Sequence, residues 1–102
     1  MMNTQEIQKE VIRNKIEKGF NTTNIEKEFC LLYGEVGEAY EAFRKKKSDL
    51  DLELADVAIY LFGISEILGI DLEEAINKKL QINRERVYKK IDGVNHKINE
   101  TK

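Results

Sequence analysis

Between Glu53 and Leu68 the chain is apolar on nearly every side of a helix: Leu54, Ala55, Val57, Ala58, Ile59, Leu61, Phe62, Ile64, Ile67 and Leu68 leave little room for a wet face. A helix of that kind has to be buried on several sides. In a chain of 102 residues, three other short helices cannot easily surround it. A subunit interface is the economical cover. The chain is therefore expected to complete its fold by oligomerisation, as a homodimer or a tetramer. The run is too short to span a membrane and it contains Asp56.

Proline is absent, so long uninterrupted helices are permitted. Start and stop signals divide the chain into four of them. The first is expected from about Thr4 to Lys18, with Ile7, Val11 and Ile12 facing inward and Gly19 ending it. Thr23 with Glu26 reads as a capping box for a second helix, which carries Ile25, Phe29, Leu32, Val36, Ala39 and Phe43 at helical spacing. The basic run Arg44–Lys47 falls at its end, where positive charge complements the helix dipole. Ser48 with Asp51 opens the third helix and Gly69 closes it. Asp71 with Glu74 opens the fourth, which carries Leu72, Ala75, Ile76, Leu80 and Val87. From Gly93 the tail reads as frayed. The expectation is one all-α domain over residues 1–102, a four-helix bundle with helices two and three as an antiparallel hairpin. Gly34, Gly37 and Gly63 sit inside helices, where close backbone approach by a neighbour would offset their cost of roughly 0.5–1 kcal/mol.

Composition narrows the function. The formal charge of −2 gives no global pull toward nucleic acid or an anionic membrane, so neither is expected as a partner. A single cysteine, Cys30, cannot form an internal disulfide. Set among apolar residues it reads as a structural thiol in a reducing cytoplasm. The N-terminus has no apolar signal core.

Two acidic pairs break the apolar pattern: Glu35 with Glu38, and Glu53 with Asp56. Residues three apart lie about 60° apart around a helix, so each pair projects from one face. A carboxylate at Asp56 is costly unless something cationic compensates it. Asp49, Glu53, Asp56 and Tyr60 share one stripe of helix three. Two such helices packed as a hairpin would converge four carboxylates, a site for a hard divalent cation. An ordinary wet helix face is the competing reading.

Helix four adds Lys79, Asn83 and Arg86 at i, i+4 and i+7. Asn83 can help position a metal or phosphate while Lys79 and Arg86 hold phosphate oxygens. Surface cations with one satisfied amide is the plainer alternative. Phe20 and Tyr33 are candidates for stacking on a nucleobase. For Phe20 an anchoring role between helices is equally natural, and for Tyr33 a packing role is favoured. The only histidine, His96, lies in the tail, so no Ser-His-Asp or Cys-His system competes.

Gly34-Glu-Val-Gly-Glu-Ala-Tyr-Glu-Ala42, Glu53-Leu-Ala-Asp56 and Lys79-x-x-x-Asn83-x-x-Arg86 together resemble the MazG-like nucleotide pyrophosphohydrolases of the all-α NTP pyrophosphatase superfamily. The likeness runs from about Lys15 to Tyr88. It implies that Glu35, Glu38, Glu53 and Asp56 bind Mg²⁺, with Mn²⁺ able to substitute. It also implies hydrolysis of a nucleoside triphosphate to monophosphate and pyrophosphate, with Glu38 as general base. The purpose it suggests is house-cleaning of abnormal or surplus nucleotides. Many relatives carry another acid where this chain has Gly34, so metal number or affinity can differ. Dimeric dUTPases and phosphoribosyl-ATP pyrophosphohydrolases share the metal motif. A non-catalytic helical dimerisation or adaptor module would explain the apolar helix and the glycines but not the focused acids.

Overall fold

Helix boundaries in this chain are set by a repeated C-terminal device. The structure, a computed structural model, describes residues 1–86 and the backbone of residues 88–91 and 94–97. Helix α1 spans Thr4–Glu17, α2 Ile25–Arg44, α3 Leu50–Ile67 and α4 Leu72–Glu85. After α1, Gly19 turns left-handed at φ +71° and Phe20 N–H donates to Lys15 C=O at 2.8 Å. After α3, Gly69 does the same at φ +71°, and Ile70 N–H reaches Ser65 C=O at 2.8 Å. Both are Schellman closures, for which glycine is suited because it has no Cβ to clash. The end of α2 uses the same bonds, Lys47 N–H to Ala42 C=O at 2.9 Å, but with Lys46 at φ +55° in the glycine position.

The N-termini depart from the sequence reading. Asn24, not Thr23, caps α2, its side chain accepting from Lys27 N–H at 3.1 Å. Asn21 Oδ1 in turn accepts from Asn24 N–H at 3.1 Å. Asp49 takes the cap position of α3 without a side-chain cap bond. Asn3 caps α1 through Glu6 N–H at 2.9 Å.

Two compact units follow one another along the chain, Met1–Leu72 and Glu73–Lys102. In the first, α3 packs against both α1 and α2, and α2 with α3 forms the expected close hairpin. Its buried apolar side chains are small in number: Ala39, Ala42 and Ile64 among the described residues. Leu54, Ile59 and Leu61 of α3 remain exposed in the single chain, at 55%, 43% and 45%.

Polar residues take core positions on α1. Gln8 and Lys15, not only Ile7, Val11 and Ile12, turn inward. Gln8 closes the α3–α4 turn: its Nε2 donates to Ile70 C=O at 2.9 Å, and its Oε1 accepts from Leu72 N–H at 2.9 Å. An amide can do both at once, and here it satisfies an N–H that the start of α4 would otherwise leave unpaired. Lys15 crosses Gly63, where an added Cβ would meet Lys15 Cε at 3.4 Å and Val11 Cγ1 at 3.3 Å. Close approach therefore holds at Gly63. At Gly34 and Gly37 nothing among the described residues lies within 4 Å of an added Cβ.

In the second unit, α4 is followed by a two-stranded antiparallel ribbon, β1 Tyr88–Ile91 and β2 Val94–Lys97, with His96 opposite Lys89. The ribbon takes in part of the tail that reads as frayed from sequence. Val87, expected on helix four, lies outside the described residues. Cys30, expected as a structural thiol, is exposed in the single chain.

Candidate metal centre and adjoining cavity

The α2–α3 hairpin sets two helix faces of like charge against each other. Glu35 and Glu38 project from α2 and Glu53 from α3, and one carboxylate oxygen from each lies within 4.8 Å of the others. Glu35 Oε2 and Glu53 Oε2 are buried and have no hydrogen-bond partner among the described residues. An unpaired buried carboxylate oxygen is costly unless a cation completes it. An all-carboxylate donor set is the chemistry a hard divalent cation takes. These residues therefore fit a hard divalent cation.

Electrostatics carry the same message. Burial pushes the Glu35 carboxyl above its ordinary value, and repulsion from Glu38 and Asp56 adds to it. Glu53 is likewise held high by loss of solvent first, then by Asp49, Glu38 and Asp56, while Lys47 pulls the other way. Asp56 thus stands close enough to act on both, but outside the tight trio, and it is exposed in the single chain. The burial cost expected for it from sequence does not arise within one chain. An open cleft of about 680 Å³ adjoins the cluster, bordered by Gly34, Gly37, Glu38, Lys47 and Glu53. Lys47, placed by sequence in a solvated basic run, is the cation of that border. Arg44 and Lys45 pair instead with Glu41, at 2.9 and 3.5 Å.

A second polar network was not legible in the sequence. Lys15 Nζ donates to Glu28 Oε1 at 2.5 Å, and Asn21 Nδ2 to Glu28 Oε2 at 3.1 Å. Both members of the ion pair are buried, Glu28 almost completely. The ammonium also sits 5.3 Å from the centre of the Tyr60 ring. Tyr60 is the link to the acids: burial raises its hydroxyl, as do the charges of Glu28, Glu35, Asp56 and Glu38. One signal pointed here. Glu28 lies seven residues before Glu35, hence on the same face of α2.

On the other side of Tyr60, α1 and α3 enclose a cavity of about 410 Å³ lined by Ile7, Val11, Phe20, Ile59 and Tyr60, with Asn14 and Lys15 among its polar members. Phe20 is 57% exposed, which leaves its ring free to meet a ligand. Tyr33, at 74%, lines none of these openings. Lys79, Asn83 and Arg86 belong to the second unit, where Arg86 Nη1 donates to Asn83 Oδ1 at 3.2 Å and Lys79 is exposed one turn earlier. Asn83 is exposed, and this bond is the partner its amide was expected to have.

Comparison with known proteins adds independent support. Residues 23–89 match the MazG nucleotide pyrophosphohydrolase domain. A dATP/dGTP diphosphohydrolase of Salmonella phage PMBT28 is 35% identical over 68 residues, 60% of this chain and 23% of the relative. A dATP/dGTP diphosphohydrolase of Cyanophage S-2L is 39% identical over 62 residues, 61% of this chain and 56% of the relative. Mouse (Mus musculus) dCTP pyrophosphatase 1 is 35% identical over 69 residues, 54% of this chain and 41% of the relative. The chain thus spans between about a quarter and just over half of the length of these relatives. No solved structure matches. Among the described residues no helix is long and apolar enough to cross a membrane.

Proposed function

Since the chain belongs to the MazG nucleotide pyrophosphohydrolase family, we propose that its acidic cleft hydrolyses a nucleoside triphosphate, most simply a deoxynucleoside triphosphate, to the monophosphate and pyrophosphate. The observation that carries this reading is the trio Glu35, Glu38 and Glu53 within 4.8 Å, with two buried carboxylate oxygens left without partners. Glu35 and Glu53, with Glu38 and Asp56, are the residues that would hold Mg²⁺. Mn²⁺ can take the same place. When bound, such a cation would supply charge neutralisation at the phosphate and acidification of a water.

The chain's own groups supply the rest. Glu38 is the exposed member of the trio and opens onto the cleft, so it is the carboxylate free to take the proton of the attacking water. The water oxygen forms a bond to the α-phosphorus, and the bond from that phosphorus to the bridging oxygen breaks, releasing pyrophosphate. Lys79 and Arg86 stabilise the departing charge, with Asn83 positioning it. Phe20 stacks on the base in the cavity beside Tyr60. The exposed Leu54, Ile59 and Leu61 of α3 support a homodimer, or a tetramer of two dimers. The family match crosses both compact units, which supports one functional domain over residues 1–102. House-cleaning of the cytoplasmic nucleotide pool is the purpose that fits. The relatives are named for purine and for pyrimidine nucleotides, so membership alone leaves the base open.

The test is pyrophosphate release from a panel of NTPs and dNTPs, with Mg²⁺ and with chelator, for the wild type and E38Q. Metal-dependent release that E38Q loses supports the reading. No release from any nucleotide, with the protein folded and assembled, returns the chain to the adaptor class.

A further inference from the structure

We infer that the side-chain amide of Asn14 reads the hydrogen-bonding edge of the nucleobase, and that it makes the site tolerant of more than one base. This rests on the nucleotide reading above. Besides the Tyr60 hydroxyl, which cannot offer a donor and an acceptor side by side, three polar side chains line the cavity between α1 and α3. Two are already engaged: Glu10 accepts from Arg13 Nη1, and Lys15 donates to Glu28. The Asn14 amide has no partner among the described residues, although its backbone C=O accepts from Lys18 N–H at 3.1 Å. Exposed to water it needs none. A flat ring seated against Phe20 would exclude that water, and the amide would then need a partner on the ring.

The chemistry of a carboxamide says what that partner offers. It presents a donor and an acceptor side by side. Each common base carries the complement on one edge: the amine and N1 of adenine, the amine and N3 of cytosine, N1–H and O6 of guanine, N3–H and O4 of thymine or uracil. Turning the amide over matches either order, so one asparagine can serve all of them. A carboxylate in the same place accepts only. Guanine alone sets two donors next to each other, N1–H and its exocyclic amine. The volume of about 410 Å³ falls within the range of roughly 300–1,000 Å³ typical of small-ligand sites.

The experiment compares kcat/KM for dATP, dGTP, dCTP and dTTP, at saturating Mg²⁺, in the wild type, N14D and N14L. Asn14 is exposed on a helix, and N14D is isosteric, so thermal melts serve as the folding control. N14D should raise dGTP relative to the other three by about 5- to 150-fold, the span of one bidentate base contact. N14L should lower kcat/KM for all four, while Mn²⁺ binding stays as in the wild type. An unchanged dGTP ranking in N14D, or undiminished turnover of all four by N14L, overturns the role of Asn14 and leaves the enzyme reading intact. A folded wild type that hydrolyses none of the four overturns the enzyme reading, and this inference with it.

Discussion

Lys15 Nζ lies 2.5 Å from Glu28 Oε1 in the interior of the first compact unit, joining α1 to α2 beneath the Tyr60 ring. Asn21 holds the second oxygen of the same carboxylate, so both carboxylate oxygens are engaged. Burying two charges is unfavourable in itself, and the pair offsets that only while both partners are present.

Removing one partner should therefore cost far more than removing both. E28Q or K15M alone is expected to destabilise the protein by about 3–5 kcal/mol, and the double variant K15M/E28Q to recover most of that loss. Urea denaturation of the three variants measures it. Additive losses in the double variant would mean that the two side chains contribute independently.

The acid cluster gives an inverted pH dependence in the absence of metal. Glu35 and Glu53 hold their protons more tightly in the fold than at the ordinary carboxylate value of 4.5. Above that value the unfolded chain has released protons that the folded chain still keeps. Their contribution to stability is therefore present in acid and lost as pH rises through the folded values. Subtracting E35Q from wild type isolates the effect. The wild type, measured with chelator, should lose stability relative to E35Q across this window, and saturating Mg²⁺ should abolish the difference in slope.

Metal binding should be visible as stability without any substrate. At a hundredfold over its Kd, Mg²⁺ is expected to add about 2.7 kcal/mol. D56N should blunt that gain and abolish turnover. Its metal-free stability should stay within about 0.5 kcal/mol of wild type, because Asp56 is exposed. Thermal melts with and without Mg²⁺ decide this. A D56N variant that is destabilised yet fully active would remove Asp56 from the site.

Lys46 occupies the left-handed position that glycine fills after α1 and α3. A side chain there costs roughly 1 kcal/mol or more. K46G should raise stability by about 1 kcal/mol, less the greater freedom glycine gives the unfolded chain, with unchanged turnover. Equal or lower stability would show that Lys46 has contacts worth keeping.

Periodicity and punctuation made the helices and both acidic pairs legible, because each depends on residues close in sequence. The α2–α3 hairpin followed from its short connection. The polar core did not. Gln8 and Lys15 turn inward beside Ile7, Val11 and Ile12, the only α1 residues a hydrophobic pattern assigns there, and Glu28 is one more glutamate in an acidic helix until Lys15 is seen against it. Their partners are 13 to 64 residues away, and no local rule pairs them. Thr23 and Asn24 are both good caps, and the choice turned on Asn21 folding back to the Asn24 N–H. Asp56 read as buried because the helix around it is apolar. A sequence records the hydrophobicity of a face, not which chain covers it.

The attachment of α1 has a consequence for how the molecule opens. The helix is fastened near its two ends by hydrogen bonds and charge, through Gln8 to the α3–α4 turn and through Lys15 to α2. Little hydrocarbon is sealed beneath those fastenings. Detaching α1 would expose less surface than unfolding the whole unit, and sensitivity to denaturant scales with surface exposed. Its amides should exchange with solvent deuterium by a local opening less sensitive to urea than global unfolding, while those of α2 and α3 wait for the whole fold to give way. The cavity that α1 roofs would then fill and empty on the clock of one helix.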